Sequence, residues 1–523
     1  MNTPINTALI YHETTKHSQH RYARSLGYLD WQTQPDPFRT YRGAKKVLLP
    51  LALQNVTPPY HLLGTELPAA PLLKESISQL LQFSMGIAAW KFSDGNRWAV
   101  RCNASSGNLH PSESYLILPP VLDEQEGKSS VLHYAPKDHS LELLAAFDTD
   151  FWQTLPQNSF LVGLSSVSWR EVWKYGERAF RYVNLDAGHA WQAFAVSARM
   201  LGWRVTRLDT PSTQDVNALL GLSQEGRFSE REIGDMVLVI SPLETNSSHS
   251  LDRLLEELPL RYEGVANRLS STMQEWEIIP AIEDATSGVQ TPQESSKCSS
   301  HLSEETKESK DVVLQRRSIH VMDTVRSRIT KEQFFTLLHG ICDSLDTKQN
   351  AAHLVLFVQR VEGFEEGIYI LVRNERDKEQ LKAAMFSAFS WSECEFANLY
   401  LLEKREVQMI AKSISCSQAI ASDGAFSLGM LCNFSEQIEA YGAHRYKELF
   451  WECGAIGQQL YLDATSMGLS GTGIGCFLDD MFHSTLGIKD NRFQSLYHFT
   501  VGRGYVDSRI QTQPPYDEEA REL

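Results

Sequence analysis

No C-x-x-C pair occurs in the 523 residues, and only one of the eight cysteines, Cys102, stands in the first half. That excludes a disulfide framework and an ordinary zinc site, and free thiols fit a reducing cytoplasm. Positive charge is scarce: 49 Lys and Arg against 65 Asp and Glu give a formal net charge of −16. A broad basic face for nucleic acid or an anionic membrane is therefore excluded. Long apolar runs are missing as well. Residues 47–53 (VLLPLAL) form one of the longest, far short of the ~20 residues that span a bilayer. The N-terminal MNTPINTALIYHETTKHS has no basic stretch followed by an apolar core and is not a signal peptide. These absences predict a soluble, cytoplasmic protein with neither a nucleic-acid nor a membrane partner.

What the chain does have is a copy of itself. Setting position n beside n+266 over residues 160–221 aligns ten identities without a gap: Phe160/Phe426, Gly163/Gly429, Tyr175/Tyr441, Gly176/Gly442, Gly188/Gly454, Gln192/Gln458, Ala198/Ala464, Gly202/Gly468, Leu220/Leu486 and Gly221/Gly487. Half of them are glycines, which mark positive φ or close backbone approach. A period this long means two tandem domains rather than a solenoid. The length agrees, being too great for one core. Residues 1–265 read as a first domain and 312–523 as a second. The stretch 266–311 between them reads as a flexible linker, because 281–311 is rich in Ser, Thr, Glu and Lys and has too little apolar surface to offset the entropy of ordering.

Each half alternates helical and strand patterns. Residues 80–90 have helical spacing, 114–120, 159–167 and 235–242 read as buried strands, and 181–203 as a long apolar helix stopping at Gly202. The second half repeats the order, with its long helix over 448–469 stopping at Gly468. A helix that is apolar nearly all round must be buried against a partner, here the other copy.

The chemistry-bearing loops do not repeat. Gln315-Arg316-Arg317-Ser318-Ile319-His320 combines two guanidinium forks and a hydroxyl suited to a phosphate, although a basic surface turn would look the same. Gly471-Thr472-Gly473-Ile474-Gly475 places three glycines at alternate positions, so that backbone N–H groups can approach a flat ring or an anion; the first half has Val205-Thr206-Arg207-Leu208-Asp209 instead. The first half has its own loop, Ala104-Ser105-Ser106-Gly107-Asn108-Leu109-His110-Pro111-Ser112-Glu113, rich in small donors. The matching place in the second half, residues 346–358, lacks the Ser-Ser-Gly-Asn core.

Together these motifs resemble the FMN-dependent nitroreductase superfamily, in its tandem SagB/ThcOx-type dehydrogenase branch. Arg316, Ser318 and His320 resemble the R-x-S-x-R/K opening, with His320 in place of its last cation. Ser105, Gly107, Pro111 and Glu113 are in register with the Ser-rich flavin loop, with Ala104 replacing its usual proline. Gly473-Ile474-Gly475 resembles the glycine loop beside the flavin, and Val501-Gly502-Arg503-Gly504 the strand end that returns to the phosphate. The resemblance implies an α+β fold, two domains with mainly antiparallel sheets flanked by helices, fused as an intramolecular pseudo-dimer. It implies one FMN per chain between the halves, held by Arg316, Arg317, Ser318, His320, Gly473, Ile474, Gly475 and Arg503 from one side and Ser105, Ser106, Gly107 and Asn108 from the other. The reciprocal site would rest on Phe38-Arg39-Thr40-Tyr41-Arg42, at best a relic.

That branch also carries a Lys-Tyr pair near the flavin, matched by Lys174-Tyr175. Either side chain could take the proton that accompanies hydride transfer at N5. Tyr175 repeats as Tyr441 whereas Lys174 is matched by Ala440, so Lys174 is the better catalytic candidate. The implied function is an FMN-dependent oxidoreductase acting on a small molecule or a modified peptide, with NAD(P)H as a candidate reductant. The alternatives are a non-catalytic flavin-holding or partner-binding pseudoenzyme and oxygen-dependent flavin breakdown. His12, His17 and His20 read as surface histidines, and Cys416, Cys453 and Cys476 as small apolar residues.

Overall fold

The computed structural model describes residues 3–292, 307–343 and 350–517. Two seven-stranded sheets dominate it. The first contains β1 (Lys45–Leu48), β2 (Ser112–Leu118), β3 (Ser129–Ala135), β4 (Ser140–Phe147), β5 (Phe160–Ser166), β6 (Arg204–Arg207) and β7 (Ile233–Ser241), in the spatial order β1-β4-β3-β2-β5-β7-β6. The second contains β8 (Ala352–Val358), β9 (Gly367–Leu371), β10 (Ser392–Glu393), β11 (Leu399–Lys404), β12 (Phe426–Asn433), β13 (Ser470–Ile474) and β14 (Phe493–Gly502), in the order β10-β11-β9-β8-β12-β14-β13. Neighbouring strands run antiparallel throughout both. The α+β class expected from the sequence is the class observed.

The strands formed where the apolar runs lay. β5 (FLVGLSS) and β12 (FSLGMLCN) are buried at every residue, as sheets covered on both faces require. Residues 80–90 divide instead: a helix over Lys74–Ser84 ends and a strand opens at Ile87. The chain breaks at Gly86, where a Cβ would overlap the Gln82 carbonyl oxygen.

The two long helices, α1 (Ala179–Arg199) and α2 (Arg445–Ser466), pack on each other at the centre. They cross at the repeated glycines. A Cβ at Gly188 would overlap the Trp451 carbonyl oxygen, and one at Gly454 the Leu185 carbonyl oxygen. Asn184 Oδ1 accepts from Trp451 Nε1 at 3.0 Å, and Gln192 Nε2 donates to Gln459 Oε1 at 2.8 Å. Other repeated glycines end helices: Gly221 (φ +69) and Gly487 (φ +82) are left-handed C-caps, a conformation open to glycine at little cost.

Each half also reaches into the other. The helix Pro4–Thr14 buries Ala8, Tyr11 and His12 in a core shared with Phe434, Tyr446 and Phe450. The strand Gln511–Gln513 adds to the hairpin Ile87–Ser93/Asn96–Arg101, and the Tyr516 hydroxyl, 2.9 Å from each, accepts from Ile87 N and donates to Pro136 O. Within the stretch expected as a linker, 266–311, parts are structured. A helix covers Ile278–Ala285, and Gln290 and Thr291 are buried against Arg207 and Glu448. Residues 293–306 lie outside those described.

Candidate functional site

The motifs of the second half converge on β13. Ser318 bridges Gly471, Ile319 N donates to Thr472 Oγ1 at 2.9 Å, and Met322 bridges Gly504. Arg316, Gly471–Gly475 and Arg503 thus share one sheet edge. Gly471, Gly473 and Ile474 form a strand rather than the expected loop, because they pair in register with β14. Alternation then sends Ile474 into the second-half core and leaves Gly471 and Gly473 on the opposite face.

That face is covered by tyrosines. The Tyr461 hydroxyl accepts from Gly473 N at 2.8 Å and lies 2.7 Å from Ser318 Oγ. The Tyr497 hydroxyl stands where a Gly473 Cβ would be and lies 3.2 Å from His189 Nε2. The Tyr182 hydroxyl donates to Gly475 O at 3.1 Å. Only glycine leaves room for this layer.

Arg316 carries the junction between the halves. Its Nε and Nη2 donate to the carbonyls of Cys102 and Arg101 at 3.0 and 2.9 Å, and its guanidinium lies over the Tyr461 ring at 5.2 Å. It is buried, and these bonds make no use of Nη1. Arg317 Nη1 donates to the Leu314 and Arg316 carbonyls, while its buried Nε has no hydrogen-bond partner among the described residues. Burial, then Arg316 beside it, brings Arg317 down to about 10. His320 is exposed, and Arg503 Nη1 donates to Gly468 O at 3.3 Å.

The Ser-rich loop enters from the first half directly after Cys102. Ala104 N donates to Gln458 Oε1 at 3.0 Å, and Gln458 Nε2 donates to Cys102 O at 3.3 Å. Ser106 presents both N and Oγ to Asp186 Oδ1, at 3.0 and 2.9 Å. Gly107 (φ +59) sits against the Lys-Tyr pair: a Cβ there would lie 2.6 Å from Tyr175 Oη and 3.1 Å from Lys174 Nζ. Asn108 turns away, donating to Ala99 O. Ser105, Ser106, Gly107, Lys174 and Tyr175 are therefore neighbours, on the side of the interface that Arg316 reaches.

Sequence reading missed the acids. Asp186 is buried on α1; desolvation lifts it to about 7 against the opposing Ser105 and Ser106 hydrogen bonds. Burial and the nearby Asp186 raise Glu171 well above the carboxylate range, and neither of its oxygens has a hydrogen-bond partner among the described residues. Burial raises Tyr175, Tyr461 and Tyr497 too. The site thus holds protonated acids around neutrality. One signal was available: Asp186 lies 266 residues before Glu452, an acid matched by an acid. His189, Tyr461 and Tyr497 gave none.

The reciprocal corner is closed. Arg207 stands at the position of Gly473; it donates to Gln290 Oε1, to Glu448 Oε1 at 3.0 Å and to Thr291 O at 3.2 Å. The relic Arg39 is buried between Glu232 (3.2 Å) and Glu230 (3.7 Å), carboxylates that would repel a phosphate. Glu113, in register with the flavin loop, joins a buried chain to Arg170 and His133; burial would raise it, but these partners hold it at about 2. Of residues 346–358, 346–349 lie outside the described residues.

A structure of similar shape exists for nearly the whole chain. A proposed nitroreductase from Anabaena variabilis superposes with a TM-score of 0.70 at 22% identity, covering 95% of this chain and 99% of that one. The chain has the nitroreductase fold. A sequence profile described as the Nitroreductase family matches residues 365–503, which include β13 and β14. Two further structures, a proposed nitroreductase from Ralstonia eutropha (15% identity, 42% of this chain, 97% of that one) and a chain of the E. coli microcin synthetase complex (16%, 46% and 94%), each give a TM-score of 0.29, too low to carry weight. No curated protein matches the sequence significantly. Among the described residues no helix is long and apolar enough to cross a membrane.

Proposed function

We propose that the chain is an FMN-dependent oxidoreductase in which two fused domains, residues 1–265 and 312–523, hold one flavin between them. The observation that carries the reading is the bond of Arg316 to the carbonyls of Arg101 and Cys102. It places the second half's cation against the root of the first half's Ser-rich loop. The residues fit the group in kind. Arg316 Nη1 and the unpartnered Arg317 Nε suit a phosphate. Asn103 Oδ1 and His110 Nδ1, buried without hydrogen-bond partners among the described residues, suit the edge of a heterocycle.

Bound there, FMN would supply hydride acceptance and donation. The chain's own residues do the rest. Asp186, near its midpoint at neutral pH, can hold or release a proton at the Ser105–Ser106 loop. Lys174 and Tyr175 flank Gly107 and can position a substrate group or take its proton. Tyr182, Tyr461 and Tyr497 are themselves buried and give the glycine face an aromatic lining. By the resemblance stated above, the substrate is a small molecule or a modified peptide, with NAD(P)H as candidate reductant.

Flavin titration of the full chain tests this. We expect about one FMN per chain, lost in Arg316→Ala, and bleaching of the bound flavin by NAD(P)H or a substrate under nitrogen. Two flavins per chain would end the split-site reading. The rival, a pseudoenzyme, draws support from the tyrosines that occupy the glycine face; a colourless protein that takes up no FMN would favour it.

A further inference from the structure

Next to the candidate site, and independent of any flavin in it, two half-buried cysteines meet. Cys476 follows Gly475, and its Sγ lies 2.8 Å from Cys416 Sγ and 3.8 Å from His17 Nδ1. Nothing in the sequence brings them together: they lie 60 and 459 residues from Cys476.

The loop that presents Cys416 is strained and fastened. Cys416 and Ser417 are consecutive non-glycine residues at φ +53 and +63, and left-handed backbone of this kind concentrates at functional sites. Gln418 Nε2 bridges Ser415 O (2.9 Å) and Cys476 O (3.0 Å), and Leu478 N donates to Ile414 O at 2.7 Å. The two sulfurs are thereby held face to face. The Arg178 guanidinium lies over the neighbouring Phe477 ring at 5.0 Å and pairs with Asp479, which also accepts from His17 N.

We propose that Cys476 and Cys416 form a redox-active dithiol that exchanges with low-molecular-weight disulfides, Cys476 attacking and Cys416 resolving. The Cys476 thiolate displaces one RS⁻ from R–S–S–R and forms a mixed disulfide. Cys416 Sγ then attacks Cys476 Sγ and the second RS⁻ departs, taking up the Cys416 proton. The protein loses two electrons as the intramolecular S–S bond forms, and one disulfide becomes two thiol products.

Three features support the roles. The Cys416 thiol beside it, at 2.8 Å, brings Cys476 below the usual thiol range; burial opposes this, and His17 and Arg178 add to it. A thiolate of that kind is the attacking species. Second, both thiols are only partly buried, so a small disulfide can reach them. Third, the protein has an internal control. Cys432 and Cys453 also pair, at 3.6 Å, but both are fully buried.

The test uses the full wild-type chain, equilibrated with oxidised glutathione, acid-quenched and peptide-mapped without reduction. We expect a Cys416–Cys476 disulfide with loss of two native thiols, while Cys432 and Cys453 stay free. Cys416→Ser should accumulate glutathione on Cys476, and Cys476→Ser should leave Cys416 unmodified. The proposal is overturned if both wild-type thiols stay free under these conditions. Equally, about one zinc retained per chain and lost in Cys476→Ser would make the cluster a metal site. The wild-type map decides the matter even if a variant fails to fold.

Discussion

The α1–α2 crossing makes two equivalent corners, and the chain has built them in opposite ways. In one, Gly473 and Gly457 leave space that Tyr461, Tyr497 and His189 line. In the other, the positions 266 residues earlier are Arg207 and Trp191, and Arg207 is bonded into Glu448, Gln290 and Thr291. The same contrast appears in the acids. Asp186 and Glu452 are repeat partners, and each accepts the backbone of a loop, Ser106 N for one and Ala351 N and Ala352 N for the other. Glu452 is neutralised by Arg373 at 2.7 Å. Among the described residues Asp186 is met by serine donors, and burial raises its affinity for a proton. Duplication supplied the frame; one corner kept polar groups without countercharge, and the other was filled with ion pairs.

The largest effect should come from the element the corners share. Gly188→Val and Gly454→Val would each force a side chain into a carbonyl of the opposing helix. Backbone on both sides leaves little room to relax, so each should cost about 3 kcal/mol or more. The melting temperature should then fall by roughly 5–10 °C. Thermal unfolding followed by circular dichroism checks this, and a neutral result at either glycine would break the symmetry of the crossing. Next is Gly473→Arg, which writes the closed corner's residue into the other one. Its Cβ overlaps the Tyr497 hydroxyl, so FMN uptake, measured by quenching of flavin fluorescence, should be lost altogether.

Why the sequence revealed some of this and not the rest is visible at the same residues. The repeated glycines could be read, because each has a backbone cause: the Gly188–Gly454 crossing and the helix ends at Gly221 and Gly487. Both long helices and the central strands β2, β5, β7, β8, β12 and β14 followed from apolar patterning. The site motifs were legible as segments, since Arg316, Gly473 and Ser106 lie in distinctive local patterns. Their present partners were not. That Arg316 would bond to the Arg101 and Cys102 carbonyls, or that Asp186 would hold Ser106, depends on contacts 215, 214 and 80 residues apart, which no local pattern encodes. His12 and His17, expected at the surface, are buried because the N-terminal helix inserts into the other half. The polar stretch after 266 is partly ordered because Gln290 and Thr291 have Arg207 to bind, and composition cannot show a partner.

A subtler difference between the corners lies in charge. Glu452→Gln takes the countercharge from Arg373 but leaves an amide oxygen to accept from it, so it should cost about 2 kcal/mol. Asp186→Asn keeps an acceptor for Ser106 and strands no cation, so it should cost clearly less. Its signature is in pH. The folded-state pKa of Asp186, about 7, lies above the ordinary 3.8, so the folded protein binds the extra proton between those values. Stability from this group is full below about pH 4 and is lost as pH rises through 7. Urea unfolding from pH 5 to 8 should therefore show Asp186→Asn gaining on the wild type as pH rises, by up to a few kcal/mol. Parallel curves would place Asp186 in a wetter setting than the fold gives it.

The smallest effect is expected where the sequence change looks most inviting. Arg207→Gly removes the side chain that fills the closed corner and copies Gly473 into it, yet FMN stoichiometry should stay near one per chain. Glu448 remains, still held by Arg445 at 3.3 Å and by Thr291 N at 3.0 Å. The place of the phosphate cation is still taken by Arg39, locked between Glu230 and Glu232. An anion entering beside Glu448 would meet its carboxylate with one fewer guanidinium to offset it, and burial makes that repulsion costly. A second flavin in equilibrium dialysis of Arg207→Gly would show that a single side chain keeps the two corners apart. One flavin, with a lower melting temperature from the loss of Arg207's bonds to Gln290, Thr291 and Glu448, would show that the asymmetry is spread over the whole charge network.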